Sequence, residues 1–275
     1  MIKDLLFVID NAKRTEPFLK AAVALGESFG AYCEVVTLSA GPLLAAEFAP
    51  LGALYLPEDE LRRDEEARLA EVRKLVAEAT CPVEVYGLRD DVAWIPQDLR
   101  LSRPLADLCV VGTEECWEVP WLRRRVLDTL LLSTGTPLLL LPPNKPLGRI
   151  RHAIVGWKAS PEANRAVHDL VAIAEPGARV ELVTVGANPG DANALATVAE
   201  AQRHLVRHGF DVSTFALPEG DWSRVAEVLE HHARRRQADL LVVGAYMHSR
   251  LRETAFGGVT RDLLSNAIIP VLLSH

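Results

Sequence analysis

The sequence lacks the residue patterns of several enzyme and metal-binding classes. It has four cysteines in 275 residues, none of them in a CxxC pair or at a spacing that suits zinc. It contains neither a GxSxG nucleophile elbow nor a GxxxxGK phosphate-binding loop. His204 and His208 are one helical turn apart, but no carboxylate or cysteine accompanies them in the pattern. We therefore expect no metal site and no catalytic residues.

Long apolar runs and an excess of positive charge are also missing. No apolar run approaches the roughly 20 residues of a membrane-spanning helix, and the opening MIKDLLFVID contains no apolar signal region. The formal net charge of -7 argues against binding to nucleic acids or anionic membranes. With 49% hydrophobic and 24% charged residues, the composition is that of a globular protein. We expect a cytoplasmic protein with reduced cysteines and with neither a nucleic-acid nor a membrane partner.

What the sequence does contain is an internal repeat. ADLCVVG at 106–112 returns as ADLLVVG at 238–244, an offset of 132 residues, and EVVTL at 34–38 returns as ELVTV at 181–185, an offset of 147. Strands that begin near residues 2 and 150 are related by 148, and Thr136-Pro137 and Ile269-Pro270 by 133. The change of offset predicts about 15 extra residues in the first copy. They fall in 41–59, which has the composition of an elaborated loop or a short helix.

The linker PPNKPLG at 142–148 predicts two domains, 1–143 and 149–275. In each domain, apolar runs alternate with amphipathic stretches, and runs such as LLVVG are apolar on both faces. These features predict an α/β class with two tandem doubly wound, Rossmann-like domains, each a five-stranded parallel sheet flanked by helices. Ligands bind such sheets beyond the carboxyl ends of the strands.

One such end has the chemistry of a phosphate site. After the strand that ends at Gly244, the chain reaches Gly257 and Gly258 at the start of the last helix. Glycines at a helix start let backbone N–H groups approach an anion closely, and the helix dipole favours negative charge there. Thr260 can add a hydroxyl group, and Arg250 or Arg252 a cation.

The run GAYMHSRLRETAFGGVT at 244–260, followed by a helix and IPVLLSH, resembles the universal stress protein family, as does IVGWKASPEANRAV at 154–167. The nucleotide-binding members of that family have Gly, two residues, Gly, nine residues, Gly, then Ser or Thr. Gly244 and Gly257 match the first and third glycines of this pattern. Met247 stands at the second glycine and Gly258 at the Ser or Thr position, which are departures from the family pattern. The resemblance covers the whole chain as two copies and is strongest in 150–275.

The resemblance implies ATP or another adenine nucleotide as ligand, with adenine near Val185 and the phosphates on the glycine loop. Lys158 stands where the family has an acidic residue, which argues against a bound Mg²⁺. The candidate binding residues are Lys158, Val185, Gly244, Tyr246, Met247, His248, Gly257, Gly258, Val259 and Thr260.

The function implied is that of a nucleotide-binding stress-response protein acting as a sensor or interaction module. Two alternatives stay open: an interaction or signalling protein with a vestigial loop, and a slow nucleotide hydrolase. A protein partner, an internal pseudo-dimer formed through the two closing strands, and a homodimer are further expectations.

The first copy has diverged at the same place. It keeps Asp10 after its first strand, but Gly112 is followed by the acidic TEECWEV at 113–119 instead of a glycine loop. Its carboxylates would repel phosphates, so we expect at most one nucleotide per chain. Arg123, Arg124 and Arg125 are expected on a solvated helix face.

Overall fold

The computed structural model describes residues 2–40, 58–90, 105–188, 190–218, 224–245 and 257–275. They form two compact units, residues 2–136 and residues 137–275. Most of the predicted insertion, residues 41–57, lies outside the described residues, while its last two residues begin a helix. Within the described ranges, no helix is both long enough and apolar enough to cross a membrane.

The first unit is a parallel sheet covered by helices. Its strands are β1 (Asp4–Asp10), β2 (Tyr32–Ala40), β3 (Val83–Asp90) and β4 (Leu108–Gly112), in the order β3-β2-β1-β4. Its helices are α1 (Glu16–Phe29), α2 (Glu58–Val76) and α3 (Pro120–Ser133). Every residue of β4 is buried, as expected for a strand with helices on both faces. α1 ends where Gly30 adopts φ 58°, a left-handed conformation that glycine accepts without steric cost.

The second unit begins with β5 (Leu138–Leu141) and repeats the plan of the first. Its other strands are β6 (His152–Gly156), β7 (Arg179–Val185), β8 (Asp211–Leu217), β9 (Leu240–Gly244) and β10 (Val271–Ser274). Its helices are α4 (Pro161–Ile173), α5 (Ala192–Arg207), α6 (Val225–Arg236) and α7 (Gly258–Asn266). The strand order is β5-β10-β9-β6-β7-β8, and the five strands from β6 to β10 are all parallel. The expected doubly wound α/β architecture is confirmed.

The internal repeat extends to individual hydrogen bonds. Asp107 accepts hydrogen bonds from the amides of Lys3 and Asp4, and Asp239 accepts the same pair from Arg151 and His152. Strand register repeats as well. Leu5 pairs with Leu108 in the first unit, and Ala153 pairs with Leu240 in the second. The offsets of 148 and 132 residues therefore relate positions that are structurally equivalent.

The closing strands of the two repeats pair with each other. β5 runs antiparallel to β10, with Leu139 opposite Leu272, and all four residues of each strand are buried. This pairing follows from the exposed edge that each strand would otherwise present, and it confirms the expected proximity of these strands. The division between the units falls after Thr136, so β5 belongs with the second unit although the sequence places it at the end of 1–143.

The expectation that three consecutive arginines lie on a solvated face of α3 is wrong for one of them. Arg124 is exposed and Arg125 half-buried, but Arg123 is buried and donates from Nε to the carbonyl of Gly112 at 3.0 Å. Burial lowers the pKa of the Arg123 guanidinium to about 10. A run of like charges in sequence spreads around a helix at 100° per residue, so one member can face the sheet.

Candidate functional site

A cleft of about 690 Å³ opens in the second unit at the carboxyl ends of β6, β7 and β9. This is the edge of a doubly wound sheet at which ligands bind. Its volume lies within the range of about 300–1,000 Å³ that small-molecule sites occupy. The residues that line it are Gly156, Trp157, Lys158, Ala159, Ser160, Ala163, Val183, Thr184, Val185, Ala187, Asp191, Asn193, Ala194, Thr197, Val198, Val225, Leu229, Val243, Gly244, Gly257, Gly258, Val259 and Thr260.

The starts of three helices that border the cleft are capped differently. At α4, the Ser160 hydroxyl accepts a hydrogen bond from the amide of Ala163. At α5, the Asp191 carboxylate accepts from the amides of Asn193 and Ala194. At α7, the capping position is Gly257, which has no side chain to accept such a bond. The first N–H groups of a helix have no acceptor within the helix, so α7 presents donors that an anion can use.

Seven of the ten candidate residues line this cleft: Lys158, Val185, Gly244, Gly257, Gly258, Val259 and Thr260. They come from the ends of three strands and the start of the last helix, which the parallel topology brings to one edge. The remaining three candidates, Tyr246, Met247 and His248, lie outside the described residues, as do Arg250 and Arg252.

The two most informative glycines of the site have different physical roles. A Cβ added to Gly244 would lie 2.6 Å from the amide nitrogen of Ala163 and 2.7 Å from the carbonyl carbon of Glu162. Gly244 therefore allows the first turn of α4 to pack against β9. A Cβ at Gly258 would meet no atom within 4 Å, so packing against the described residues does not require glycine there. Access to the α7 amides is the remaining physical reason for a small residue at Gly258.

An apolar wall completes the cleft, and sequence reasoning missed most of it. Trp157 is 8% exposed, lines the cleft and directs its indole N–H at the Thr197 hydroxyl, 3.4 Å away. Val198 and Leu229 add apolar surface from α5 and α6. Val198 and Leu229 come from helix interiors and not from positions directly after strand ends. The Asp191 cap signal, six residues after β7, could have pointed to the start of α5.

In the first unit, the chain's own residues occupy the corresponding region. Asp10 is fully buried, and its carboxylate accepts hydrogen bonds from the amides of Ala12, Glu118 and Val119 at 3.1, 2.6 and 3.4 Å. Burial raises the pKa of Asp10, and the three backbone hydrogen bonds oppose that rise. Trp117 is buried, and its carbonyl accepts from the guanidinium of Arg14. The acidic loop after β4 is thus fastened over the end of the sheet.

Cys116 closes the same region further. A Cβ on Gly112 would lie 2.8 Å from the Cβ of Cys116, so the loop packs directly on the end of β4. The Cys116 thiol is 1% exposed, and burial raises its pKa to about 11. The thiol is therefore protonated near neutral pH, as expected for a packing residue.

Three histidines on α4, α5 and the end of α5, namely His168, His204 and His208, are not among the residues that line the cleft. The rings of His204 and His208 are 4.6 Å apart, and the ring of His168 lies 4.9 Å from that of His204. Among the residues for which the structure gives positions, no group of three or more His, Cys, Asp or Glu side chains is arranged to bind a metal ion.

Comparison with known proteins links these features to one family. Residues 218–275, which include α7 and the described helix start at the cleft, match the model of the universal stress protein family. A universal stress protein of Synechocystis is 31% identical over 93 residues, which cover 34% of this chain and 31% of the relative. The match thus spans about a third of that relative's length.

Two solved structures share the fold over nearly the whole chain. A universal stress protein from Archaeoglobus fulgidus aligns with a TM-score of 0.68 at 14% identity, covering 98% of this chain and 95% of its own. A putative universal stress protein from Pseudomonas aeruginosa aligns with a TM-score of 0.62 at 14% identity, covering 99% and 93%. Together with the internal repeat, these similarities show that residues 218–275 match the universal stress protein family and that the chain has the fold of universal stress proteins, present twice in tandem.

Proposed function

We propose that the second unit binds one adenine nucleotide and that the protein acts in a stress response as a nucleotide-dependent sensor or interaction module. The observation that supports this most directly is the cleft itself. Its lining combines an apolar wall, a cationic side chain at Lys158 and a helix start capped only by Gly257. An apolar wall suits a nucleobase, and a lysine beside an open helix start suits phosphate groups.

In the proposed complex, the phosphates accept hydrogen bonds from the amides of Gly258 and Val259 at the start of α7. These amides replace water, and the positive end of the helix dipole adds to the attraction. The base lies against the apolar side of the cleft near Val185, where Val183 and Val198 also contribute surface. Adenine's flat ring buries well against such a wall.

The first unit contributes no second nucleotide site in this proposal. Its Asp10 carboxylate already accepts hydrogen bonds from two amides of the loop after β4, and the acidic side chains of that loop repel phosphates. The expected stoichiometry is one nucleotide per chain at most.

Calorimetric titration with ATP, ADP and AMP tests the proposal. In the variant Gly258→Asp, a carboxylate stands before the α7 amides, repels phosphate and accepts the hydrogen bonds that the ligand needs. We expect the variant to fold, because Asp is favourable in the first turn of a helix. Its affinity should fall at least about tenfold, since charge-assisted hydrogen bonds of about 1.5–3 kcal/mol are lost.

Gly148→Asp is the matched control, because it adds the same charge at an exposed glycine with no atom within 4 Å of the new Cβ. Wild-type affinity in Gly148→Asp together with weakened binding in Gly258→Asp supports the site. Two equivalent sites per chain, or equal affinity in the two variants, would contradict it. If the wild type binds none of the three nucleotides at millimolar concentration, the alternative of an interaction protein without a nucleotide replaces the proposal.

A further inference from the structure

Lys158 and Asp10 occupy equivalent positions in the two units. The offset of 148 residues that relates Leu5 to Ala153 also relates Asp10 to Lys158. The shared register reaches the ends of the strands, because Val8 pairs with Val111 as Gly156 pairs with Val243. The two units therefore place side chains of opposite charge type, Asp10 and Lys158, at the same edge of the sheet.

The last helices of the two units begin at different places. Counted at the 133-residue offset that relates β5 to β10, Gly258 of α7 corresponds to Arg125, whereas α3 begins at Pro120. At this offset α3 therefore begins five residues earlier than α7, a length of about 7.5 Å at the helical rise per residue. In the first unit the Asp10 carboxylate, at the end of β1, accepts hydrogen bonds from the amides of Glu118 and Val119, which directly precede α3. In the second unit the cleft is at that place.

The charges of the cleft favour an anion without a metal ion. Asp191 is the carboxylate among the lining residues that the structure describes, and it accepts hydrogen bonds from the first amides of α5 as a helix cap. Lys158 and the open start of α7 contribute positive charge and positive dipole. A hydrated Mg²⁺ needs oxygen ligands in octahedral geometry and would be repelled by the lysine ammonium group.

We propose that Lys158 determines which form of the nucleotide binds: the cleft selects the phosphate chain free of divalent cations, because the Lys158 ammonium group takes the place of the metal ion. The phosphate oxygens then lie between Lys158 and the α7 amides, at the strand end where the first unit has Asp10. This inference rests on the proposed nucleotide site and adds that the site prefers the metal-free form of the nucleotide.

Titration with ADP in EDTA and in excess MgCl₂ tests this selectivity. The wild type should bind ADP more tightly in EDTA than in MgCl₂, since Mg²⁺ neutralises the oxygens that Lys158 and the α7 amides contact. In EDTA, Lys158→Met should lose about tenfold or more in affinity, the effect of removing one charge-assisted contact. In MgCl₂ the same variant should lose less affinity for ADP relative to wild type. Lys158→Asp should reverse the order, so that binding in MgCl₂ exceeds binding in EDTA.

Lys145→Met is the matched control, because Lys145 is an exposed lysine outside the cleft lining. It should retain the wild-type affinities in both buffers. Thermal melting checks that each variant folds. If Lys158→Asp does not fold, the comparison of Lys158→Met with wild type is sufficient to test the inference. Tighter wild-type binding in MgCl₂, or a Lys158→Met affinity equal to wild type in EDTA, would overturn the role of Lys158 while leaving the nucleotide site in place. No binding of ADP by the wild type in either buffer would instead overturn the proposed function and the inference with it.

Discussion

Buried polar side chains of the first unit bind backbone groups of their own chain. The Asp10 carboxylate joins the end of β1 to the loop after β4, and the Arg123 guanidinium binds the carbonyl at the end of β4. Arg68, on the charged helix α2, is also buried and donates to the carbonyl of Ala12 at 2.6 Å. Each of these contacts satisfies a group that would otherwise be buried without a partner. Together they fasten the edge of the sheet that is a cleft in the second unit.

Asp10 makes the stability of the protein depend on pH in a specific direction. Its folded pKa lies above the ordinary value of 3.8 for an aspartate, chiefly because of burial. Its contribution to stability is therefore fully present below about pH 3.8 and decreases as the pH rises through the folded pKa. We expect the stability difference between wild type and Asp10→Asn to narrow as the pH rises from below 3.8 through the folded pKa of Asp10, by roughly 1.4 kcal/mol per unit of pKa shift.

Urea unfolding at several pH values measures this difference. Asp211→Asn is the control, because Asp211 is an exposed residue at the start of β8. A difference that stays constant or widens with rising pH would show that the hydrogen bonds to Ala12, Glu118 and Val119 outweigh burial at Asp10.

The candidate site could be predicted at those residues that follow strand ends or open the last helix. Lys158, Val185 and Gly257 are of this kind, because parallel topology brings all carboxyl ends of strands to one edge. Val198 and Leu229 could not be assigned to the cleft from the sequence. Their apolar side chains fit the pattern of core residues, and only the three-dimensional arrangement shows which core residues border an open space.

At the scale of elements, the sequence predicted the strands and helices of both units because apolar strands and amphipathic helices alternate regularly. The strand predicted to begin near residue 2 corresponds to β1, and the strand predicted to end at Gly244 corresponds to β9. The starts of the last helices were harder to compare from sequence, since α3 and α7 differ in length by five residues. That difference depends on where the loop after the fourth strand ends, and loops have weaker sequence periodicity than helices.

The close packing of α4 on β9 predicts how a side chain at Gly244 would act. Because an added Cβ meets backbone atoms of Glu162 and Ala163, Gly244→Ala must displace the first turn of α4. We expect a destabilisation of about 1–3 kcal/mol, the usual effect of overpacking. Gly258→Ala is the matched control. Its Cβ meets no described atom within 4 Å, so its unfolding free energy should stay within about 0.5 kcal/mol of wild type.

Chemical denaturation of the two alanine variants measures these effects. Since α4 also borders the cleft, Gly244→Ala should weaken nucleotide binding together with stability. Equal stability of Gly244→Ala and Gly258→Ala would show that the first turn of α4 moves without cost, which contradicts the packing role assigned to Gly244.

At the scale of the molecule, the same fold occurs twice with different uses of one sheet edge. The repeated Asp107 and Asp239 hydrogen bonds show that the frames of the two units are alike. The loops after the fourth strands differ, and with them the space at the carboxyl ends. The same fold thus forms one closed edge, fastened by Asp10, and one cleft lined by Lys158.

The pairing of β5 with β10 predicts that the second unit needs β5 for its full stability. β5 covers an edge of β10, and its four leucines are all buried. A fragment of residues 137–275 retains this strand, whereas a fragment of residues 142–275 keeps the linker and lacks the strand. Each buried leucine contributes about 1.5–3 kcal/mol, so we expect the shorter fragment to be less stable by at least about 3 kcal/mol. We also expect it to self-associate, because an uncovered apolar strand pairs readily with another chain.

Calorimetric melting and analytical ultracentrifugation of the two fragments measure both effects. Equal melting temperatures with monomeric behaviour of both fragments would show that the second unit needs only residues after the linker, and the boundary at 149 would then be the better one.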